Sequence, residues 1–331
     1  MHKFNKYIIA EIGINHNGKF NNVVSLINLA KKAGADAVKF QLFKPESLSN
    51  PENKKKYKIL NKNETLFQFW NRVKIKKSWL RRVRNECKRN KIEFGFSVFD
   101  KESLNLLKKI DFNFIKIASS EINDFGLLKE IMKFNKPIIV STGMANIREI
   151  KKIYNFCEKK IYLLHCVSLY PTELKDINLN RIKKLSKIFN CQIGFSDHTI
   201  GTIAAIKAFD LGANIIEKHF TLDKNMIGPD HKCSADYNDL KQICYYIKKK
   251  QILFGNGKIN PSNKELEMKK FSRKGIYAKI NIKKKDIFSD KNLIIRRPYN
   301  GLDPDDINKF LGKKNTKYIK KNQSLKKIYI N

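Results

Sequence analysis

The sequence lacks several features that mark membrane, secreted and repetitive proteins. It has no run of about 18 uncharged apolar residues, which a membrane-spanning helix needs. Its opening residues, MHKFNKYIIAEIG, reach a glutamate too early for a secretory leader. No internal repeat and no low-complexity segment is present beyond a bias to lysine. We therefore expect a cytoplasmic protein with no membrane partner.

Cysteine motifs are also missing. The six cysteines form no CxxC pair and are scattered through apolar segments. This spacing predicts neither a zinc knuckle nor a disulfide framework. We interpret the cysteines as reduced and mostly buried thiols.

Acidic residues are scarce, since 31 Asp and Glu stand against 68 Lys and Arg and give a formal net charge of +37. Such an excess ordinarily indicates nucleic acid, because phosphate contacts dominate that binding. Here the lysines lie on the polar faces of nearly every predicted helix, as in Lys31–Lys32 and Lys151–Lys152. We read this as a drift in composition, predict no nucleic-acid partner, and expect the charge at most to steer anionic substrates.

Eight short apolar runs rich in β-branched and aromatic residues alternate with stretches of helical period. This order predicts the α/β class and a (β/α)₈ TIM barrel, with an open doubly wound sheet as the alternative. The predicted strands are Tyr7–Ile12, Ala37–Phe40, Glu93–Ser97, Phe114–Ile117, Pro137–Ser141, Ile161–His165, Gln192–Ser196 and Ile215–Phe220. The predicted helices are Asn21–Lys32, Ser78–Asn90, Lys101–Lys108, Phe125–Phe134, Ile147–Glu158, Asn178–Phe189, Thr199–Leu211 and Tyr237–Leu253.

The barrel is predicted to finish near residue 260, because GNGKINPSNKE after the last helix reads as a linker. We therefore divide the chain into a catalytic domain, residues 1–260, and a small β-rich domain, residues 261–331. Strand-like pieces in the second domain are Gly275–Ala278, Leu293–Ile295 and Ser324–Ile330.

Polar and ionisable residues gather at the carboxyl ends of the predicted strands, where barrel enzymes carry their catalytic groups. Five of the six histidines lie in or just beyond such ends. His198 and His219 would project from adjacent strands, flanked by Asp197 and Glu217. Two neutral imidazoles with open positions suit a Lewis-acid metal site, whereas the alternative is a pair of core histidines bonded to backbone.

Lys39 and Lys116 end strands that otherwise read as buried, and an unpaired ammonium there is costly. Each therefore needs an anion, which a ligand phosphate or carboxylate could supply with help from nearby serine hydroxyls. Two other interpretations stay open: a Schiff-base lysine of an aldolase, and a lysine that merely extends to solvent at the barrel mouth.

Ten segments, in order along nearly the whole chain, resemble the sialic acid synthases, or N-acylneuraminate synthases, with their legionaminic and pseudaminic acid relatives. They are IAEIGINHNG (9–18), VKFQ (38–41), KIASSE (116–121), STGM (141–144), HC (165–166), YPT (170–172), GFSDHT (194–199), EKHFT (217–221), GPDH (228–231) and RRP (296–298) with Gly301.

The resemblance implies an enzyme that condenses phosphoenolpyruvate with an N-acyl amino sugar to give a nonulosonic acid and phosphate. N-acetylmannosamine, giving N-acetylneuraminate, is the first choice of sugar, and a 2,4-diacetamido hexose giving legionaminic or pseudaminic acid is the alternative. It also implies a C-terminal antifreeze-like (SAF) domain, a domain-swapped homodimer, and Mn²⁺, with Mg²⁺ or Co²⁺ as alternatives.

The resemblance further implies roles for individual residues. Metal ligands are His198 and His219, which with Glu11 and Glu121 form the catalytic set. Phosphoenolpyruvate contacts are Lys39, Ser97, Lys116, Ser119, Ser141 and Ser196. Sugar contacts are Gln41, Ser168, Tyr170, Asp230 and Arg297, the last from the partner's SAF domain. Ser168 departs from the asparagine that the family often has there, which puts the sugar in doubt more than the reaction.

Two readings outside the family remain: a Schiff-base barrel aldolase, and a basic nucleic-acid-binding barrel without catalysis. The presence of Glu11, Lys39, Lys116, His198 and His219 argues against the second.

Overall fold

A computed structural model describes residues 4–56, 64–299 and 301–330. The first of two compact units, Met1–Leu253, contains eight parallel strands that close into a barrel in chain order, with the eighth strand paired to the first. The predicted (β/α)₈ barrel is confirmed, and the open sheet is excluded. The strands are β1 Tyr7–Gly13, β2 Ala37–Leu42, β3 Glu93–Val98, β4 Phe114–Ile117, β5 Ile138–Ser141, β6 Ile161–Cys166, β7 Ile193–Asp197 and β8 Ile215–His219.

The helices begin and end close to their predicted bounds, for local reasons. The helix after β5 begins at a capping box, in which Asn146 and Glu149 each bond the other's backbone N–H. The helix after β1 ends at Gly34, whose φ of 100° is readily adopted only by glycine. The helices of this unit are α1 Phe20–Ala33, α2 Pro45–Leu48, α3 Leu66–Val73, α4 Leu80–Asn90, α5 Lys101–Leu106, α6 Phe125–Met132, α7 Ile147–Phe156, α8 Asn180–Ile188, α9 Ile203–Asp210 and α10 Tyr237–Phe254. The short α2 and α3 were not predicted.

Two apolar layers hold the barrel together. Outward strand residues pack against the helices in one large buried cluster. Inward residues, among them Tyr7, Ile9, Phe114 and Tyr162, form a second cluster that fills the barrel interior. Each fully buried aliphatic or aromatic side chain contributes about 1.5–3 kcal/mol to stability. The inner cluster therefore stabilises the barrel and supports the polar residues at its carboxyl end.

The second compact unit, Phe254–Asn331, has its own apolar cluster, which includes Ile276, Phe288 and Phe310. It contains α11 Asn263–Ser272 and an antiparallel pair, β9 Gly275–Ala278 and β10 Leu293–Arg296. The division between the units, at residues 253 and 254, falls a few residues before the domain boundary that we predicted at residue 260.

The predicted strand over Ser324–Ile330 is wrong. Only Ser324 forms a β-bridge, with Tyr277, and residues Lys327–Tyr329 form a 3₁₀ turn. In that turn Tyr329 N donates to the carbonyl oxygen of Lys326 at 3.0 Å, a local bond three residues back that replaces a bond to a neighbouring strand. Within the described parts of the chain, no helix is both long and apolar enough to cross a membrane.

Candidate active site

Strand alternation brings polar side chains to one end of the barrel. Along β8, Ile215, Glu217 and His219 occupy alternate positions and so share the inward face. The other strands follow the same rule, and the carboxyl ends of parallel strands meet at one rim. A polar crevice at this rim is lined by Glu11, Lys39, Gln41, Ser97, Phe99, Lys116, Ala118, Ser119, Ser141, Cys166, Tyr170, Ser196, His198, Glu217 and His219.

Two buried lysines and two buried carboxylates form the centre of the crevice. Lys39 Nζ lies 2.8 Å from Glu11 Oε2 and 3.8 Å from Glu217 Oε2. Lys116 Nζ lies 3.3 Å from Glu217 Oε1. All four side chains are at most 5% exposed. Glu217 is the shared member, because it faces both lysines.

Serine hydroxyls complete the network. Lys39 Nζ donates to Ser97 Oγ at 2.6 Å, and Lys116 Nζ donates to Ser141 Oγ at 2.7 Å. Ser196 Oγ donates to Glu217 Oε1 at 2.9 Å. The predicted lysine and serine residues are therefore brought together as a set of hydrogen-bond donors around one small space.

Burial shifts the pKa values of the charged groups in the crevice. It raises the pKa of Glu11 to about 7, although Lys39 opposes the shift. Burial acts to raise the pKa of Glu217 as well, but Lys116 and Lys39 bring it down to about 2. Burial lowers the pKa of Lys116, and Glu217 opposes that shift. The two carboxylates and the two lysines therefore depend on one another for their charge, and a ligand anion beside the lysines would favour the charged form of both.

The two predicted metal ligands lie side by side, with a ring-centroid separation of 5.4 Å. His198 Nδ1 contacts the carbonyl oxygen of Val167 at 2.8 Å, which leaves Nε2 as its available nitrogen. His219 Nδ1 is buried without a hydrogen bond and lies 3.6 Å from Asp230 Oδ2. Burial also holds the pKa of His219 well below its usual range, so that its imidazole stays neutral.

This donor set fits a divalent metal ion. Neutral imidazoles are favoured ligands, a backbone bond through the other nitrogen is their usual support, and His219 offers an unpartnered buried nitrogen. No group of three or more His, Cys, Asp or Glu side chains in the described residues is arranged to hold a metal. An ion held by this pair therefore needs oxygen ligands from substrate or water, as open catalytic sites have.

Two predicted sugar contacts lie beside the crevice. Asp230 approaches His219, as described above. Ser168 lies next to Ser119, because a Cβ on Gly143 would come 2.3 Å from Ser168 Oγ and 2.8 Å from Ser119 Oγ. Gly143 N also donates to Ser119 Oγ at 3.0 Å. A glycine at position 143 is therefore required for the two serines to approach this backbone.

One predicted residue does not line the crevice, and another belongs to the second unit. Glu121 ends the 3₁₀ turn Ser119–Glu121, and successive residues of such a turn point about 120° apart. Ser119 therefore faces inward, whereas the half-buried Glu121 lies near Asp124 and Asp100, and burial raises its pKa. Arg297 is exposed and belongs to the second unit.

Four residues that line the crevice had no predicted role: Phe99, Ala118, Cys166 and Glu217. Cys166 Sγ lies 3.9 Å from His198 Nδ1. The signal for Glu217 was its position two residues before His219 on one strand, which fixes a common face. Its contacts with two lysines could not be read from spacing.

A larger cavity, of about 850 Å³, opens at the other end of the barrel, beside Phe4, Glu93, Pro137 and Lys160. It lies at the amino ends of β3 to β6 and contains none of the predicted site residues. Because barrel enzymes place their chemistry at the carboxyl ends of the strands, we take the polar crevice as the active site.

The chain is similar to known proteins along most of its length. The model of the NeuB family matches residues 26–259. The chain is 39% identical over 328 residues to the N,N'-diacetyllegionaminic acid synthase of Campylobacter jejuni, covering 96% of this chain and 98% of that protein. It is 38% identical over 327 residues to a pseudaminic acid synthase of the same species, covering 97% and 95%.

A solved structure is also similar. The N-acetylneuraminic acid synthetase of Leptospira borgpetersenii superimposes with a TM-score of 0.70 at 32% identity. The alignment covers 79% of this chain and 89% of that one.

Proposed function

This chain belongs to the NeuB family of sialic acid synthases, and on that premise we propose that it condenses phosphoenolpyruvate with a 2,4-diacetamido hexose to give a nonulosonic acid and phosphate. The observation that carries the proposal is the pair of buried lysines, Lys39 and Lys116, beside the pair of buried histidines, His198 and His219. The lysines suit a small polyanion, and the histidines suit a metal ion that would activate a carbonyl group.

Phosphoenolpyruvate would bind beside the lysines and serines of the crevice. Its phosphate and carboxylate are the groups that two ammoniums and several hydroxyls recognise best. Lys39 with Ser97, and Lys116 with Ser141, already form such donor pairs. Ser119 and Ser196 line the same space and complete the proposed phosphoenolpyruvate site.

His198 and His219 would hold the metal, with Mn²⁺ as first choice and Mg²⁺ or Co²⁺ as alternatives. When bound, such an ion acts as a Lewis acid that polarises the aldehyde of the open-chain sugar. Val167 O supports the imidazole of His198 from behind, and Asp230 Oδ2 lies 3.6 Å from Nδ1 of His219.

The reaction forms one C–C bond and breaks one C–O bond. C3 of phosphoenolpyruvate, held by the lysines, attacks the aldehyde carbon, and the aldehyde oxygen becomes a hydroxyl. Water adds at C2, where positive charge develops, and phosphate leaves with its bridging oxygen to give the keto acid. Glu11 would accept the proton of this water, since it lines the crevice and burial raises its pKa to about 7. Glu121, to which the resemblance gives this role, does not line the crevice.

The rest of the sugar would contact Gln41, Ser168, Tyr170 and Asp230 around the crevice. Arg297 requires a further assumption, because it belongs to the second unit. We propose that this unit is an antifreeze-like domain and that a domain-swapped homodimer brings Arg297 of one protomer to the sugar in its partner. Exposed apolar side chains on the loops after β5 to β8 would suit such a contact: Met144, Leu169, Leu174, Ile200 and Ile227.

Two sugars compete. Legionaminic and pseudaminic acid synthases at 38–39% identity over nearly the full chain support a 2,4-diacetamido hexose. The similarity to an N-acetylneuraminic acid synthetase supports N-acetylmannosamine, the first choice from sequence, which stays a prediction. A cytoplasmic location likewise stays a prediction.

The test is phosphate release from phosphoenolpyruvate with Mn²⁺, in which the two diacetamido hexoses are compared with N-acetylmannosamine. We expect release that needs both a sugar and the metal, that stops with a chelator, and that has the highest kcat/KM for a diacetamido hexose. A higher value for N-acetylmannosamine would select the other sugar. No release with any sugar would refute the synthase, and borohydride trapping with pyruvate would then test the Schiff-base aldolase.

A further inference from the structure

A buried ion pair lies behind the two histidines. Asp197 and Lys218 are partners across β7 and β8, one position beyond Ser196 and Glu217. Strand alternation turns them away from the crevice, and neither lines it. Lys218 Nζ lies 2.9 Å from Asp197 Oδ2, and both side chains are fully buried.

Both members of the pair hold the residue after His198. Asp197 Oδ1 accepts a hydrogen bond from Thr199 N at 2.9 Å, and Lys218 Nζ donates to Thr199 O. The carbonyl oxygen of His198 also accepts from Thr172 N at 2.9 Å. The backbone of His198 is therefore fixed on both sides and at its own carbonyl.

The same pair reaches the second histidine through the chain. Lys218 directly precedes His219, as Asp197 directly precedes His198. One ion pair thus joins the two residues that stand before the two histidines. A backbone shift at either end would change the separation of the imidazoles.

Simple stabilisation is a weak explanation for this arrangement. Removing two charges from water is costly, and a buried ion pair often contributes no more than apolar residues of similar volume. A pair that fixes position, by contrast, benefits from short, directional bonds to a neighbouring backbone. Outer contacts of this kind commonly control metal affinity through the ligands that they orient.

We propose that Asp197 and Lys218 are positioning residues that set the separation of His198 and His219 and thereby the metal affinity of the crevice. The proposal rests on the proposed function, because it takes these histidines as the metal ligands. It assigns the pair no contact with either substrate.

The test measures Mn²⁺ binding to Lys218→Met by isothermal titration and by the electron paramagnetic resonance signal of free Mn²⁺. We expect a dissociation constant about 10- to 100-fold higher than that of the wild type. Binding of phosphoenolpyruvate to the metal-free protein should stay within about twofold, because Lys39 and Lys116 are unchanged. Both proteins are also compared by thermal unfolding.

The matched control is Tyr7→Phe, which removes a buried hydrogen bond to Glu93 at the other end of the barrel. This variant should melt at a lower temperature and bind Mn²⁺ as the wild type does. A Lys218→Met protein that also melts lower but keeps wild-type Mn²⁺ affinity would overturn the proposal, since its effect would be structural only.

Two further variants separate the remaining outcomes. Should Lys218→Met fail to fold, Asp197→Asn retains the volume and an acceptor for Thr199 N while it removes the charge. Folded Asp197→Asn with wild-type Mn²⁺ affinity would equally overturn the proposal. Wild-type affinity in His198→Ala would instead refute the metal site itself, and the positioning role with it.

Discussion

Replacing Glu217 with glutamine tests the charge arrangement in the crevice. Glutamine has nearly the same size and retains an oxygen for the bond from Ser196, which lies 2.9 Å from Glu217 Oε1. The substitution removes only the negative charge that faces Lys116 at 3.3 Å and Lys39 at 3.8 Å. It leaves two buried ammoniums with Glu11 as their one close carboxylate among the described residues.

The expected cost follows from these distances and the burial. Removing one partner of a buried ion pair lowers the free energy of unfolding by about 3–5 kcal/mol. An upper limit comes from the lysine itself, because loss of its proton at pH 7 costs about 4.6 kcal/mol for a group with a pKa near 10.4. At about 2–4 °C per kcal/mol for a domain of roughly this size, a loss between about 3 kcal/mol and that limit should lower the melting temperature by about 6–18 °C.

Phosphate should recover much of this loss. In the wild type an incoming anion competes with Glu217 for the lysines, whereas in Glu217→Gln the ion pair of Lys116 is lost and Lys39 keeps only Glu11. Phosphate at about 100 times its dissociation constant stabilises a protein by about 2.7 kcal/mol. We therefore expect a clearly larger rise in melting temperature with phosphate for the variant than for the wild type.

The assay is thermal unfolding of the metal-free protein, with and without phosphate, in a buffer without other multivalent anions. Glu93→Gln is the matched control, because Glu93 accepts a hydrogen bond from the Tyr7 hydroxyl at the other end of the barrel, away from Lys39 and Lys116. Glu217→Gln that melts like the wild type would refute the paired lysines. A lower melting temperature without extra rescue by phosphate would refute the anion site.

Three further predictions concern the crevice and its support. Lys116→Met should raise the KM for phosphoenolpyruvate by about 10- to 150-fold, since a hydrogen bond to a charged group contributes about 1.5–3 kcal/mol; an unchanged KM would exclude this lysine as a ligand contact. Gly143→Ala would place a Cβ 2.3 Å from Ser168 Oγ. We expect this variant to lower kcat/KM at least tenfold and the free energy of unfolding by about 1–3 kcal/mol. The control Gly126→Ala in α6 should change neither quantity. Burial lowers the pKa of His16 to about 4, below its unfolded value near 6.5, so the stability that neutral His16 supports is present above pH 6.5 and is lost as the pH falls. We expect the free energy of unfolding, measured in urea, to fall by about 2 kcal/mol between pH 7 and pH 5. In His16→Gln this free energy should depend less steeply on pH.

Much of this protein could be predicted from local sequence. Alternation of short apolar runs with helical stretches determined the barrel, because a parallel strand buried on both faces needs a crossover helix before the next strand. The two-residue period of a strand likewise placed His219 on an inward face at the rim. Lys39 and Lys116 were identified because a charge at the end of a buried strand needs a partner.

Tertiary structure decided which of these side chains meet. Lys116 and Glu217 are 101 positions apart and touch only because the barrel closes with β8 against β1. Sequence spacing shows which face of a strand a residue occupies and how near it lies to the carboxyl end of that strand. Its partner across the barrel depends on the stagger of all eight strands. For the same reason sequence could not show that Glu121 turns away from the crevice, or that Asp197 and Lys218, which flank the histidines in sequence, bond to each other on the opposite side of the sheet.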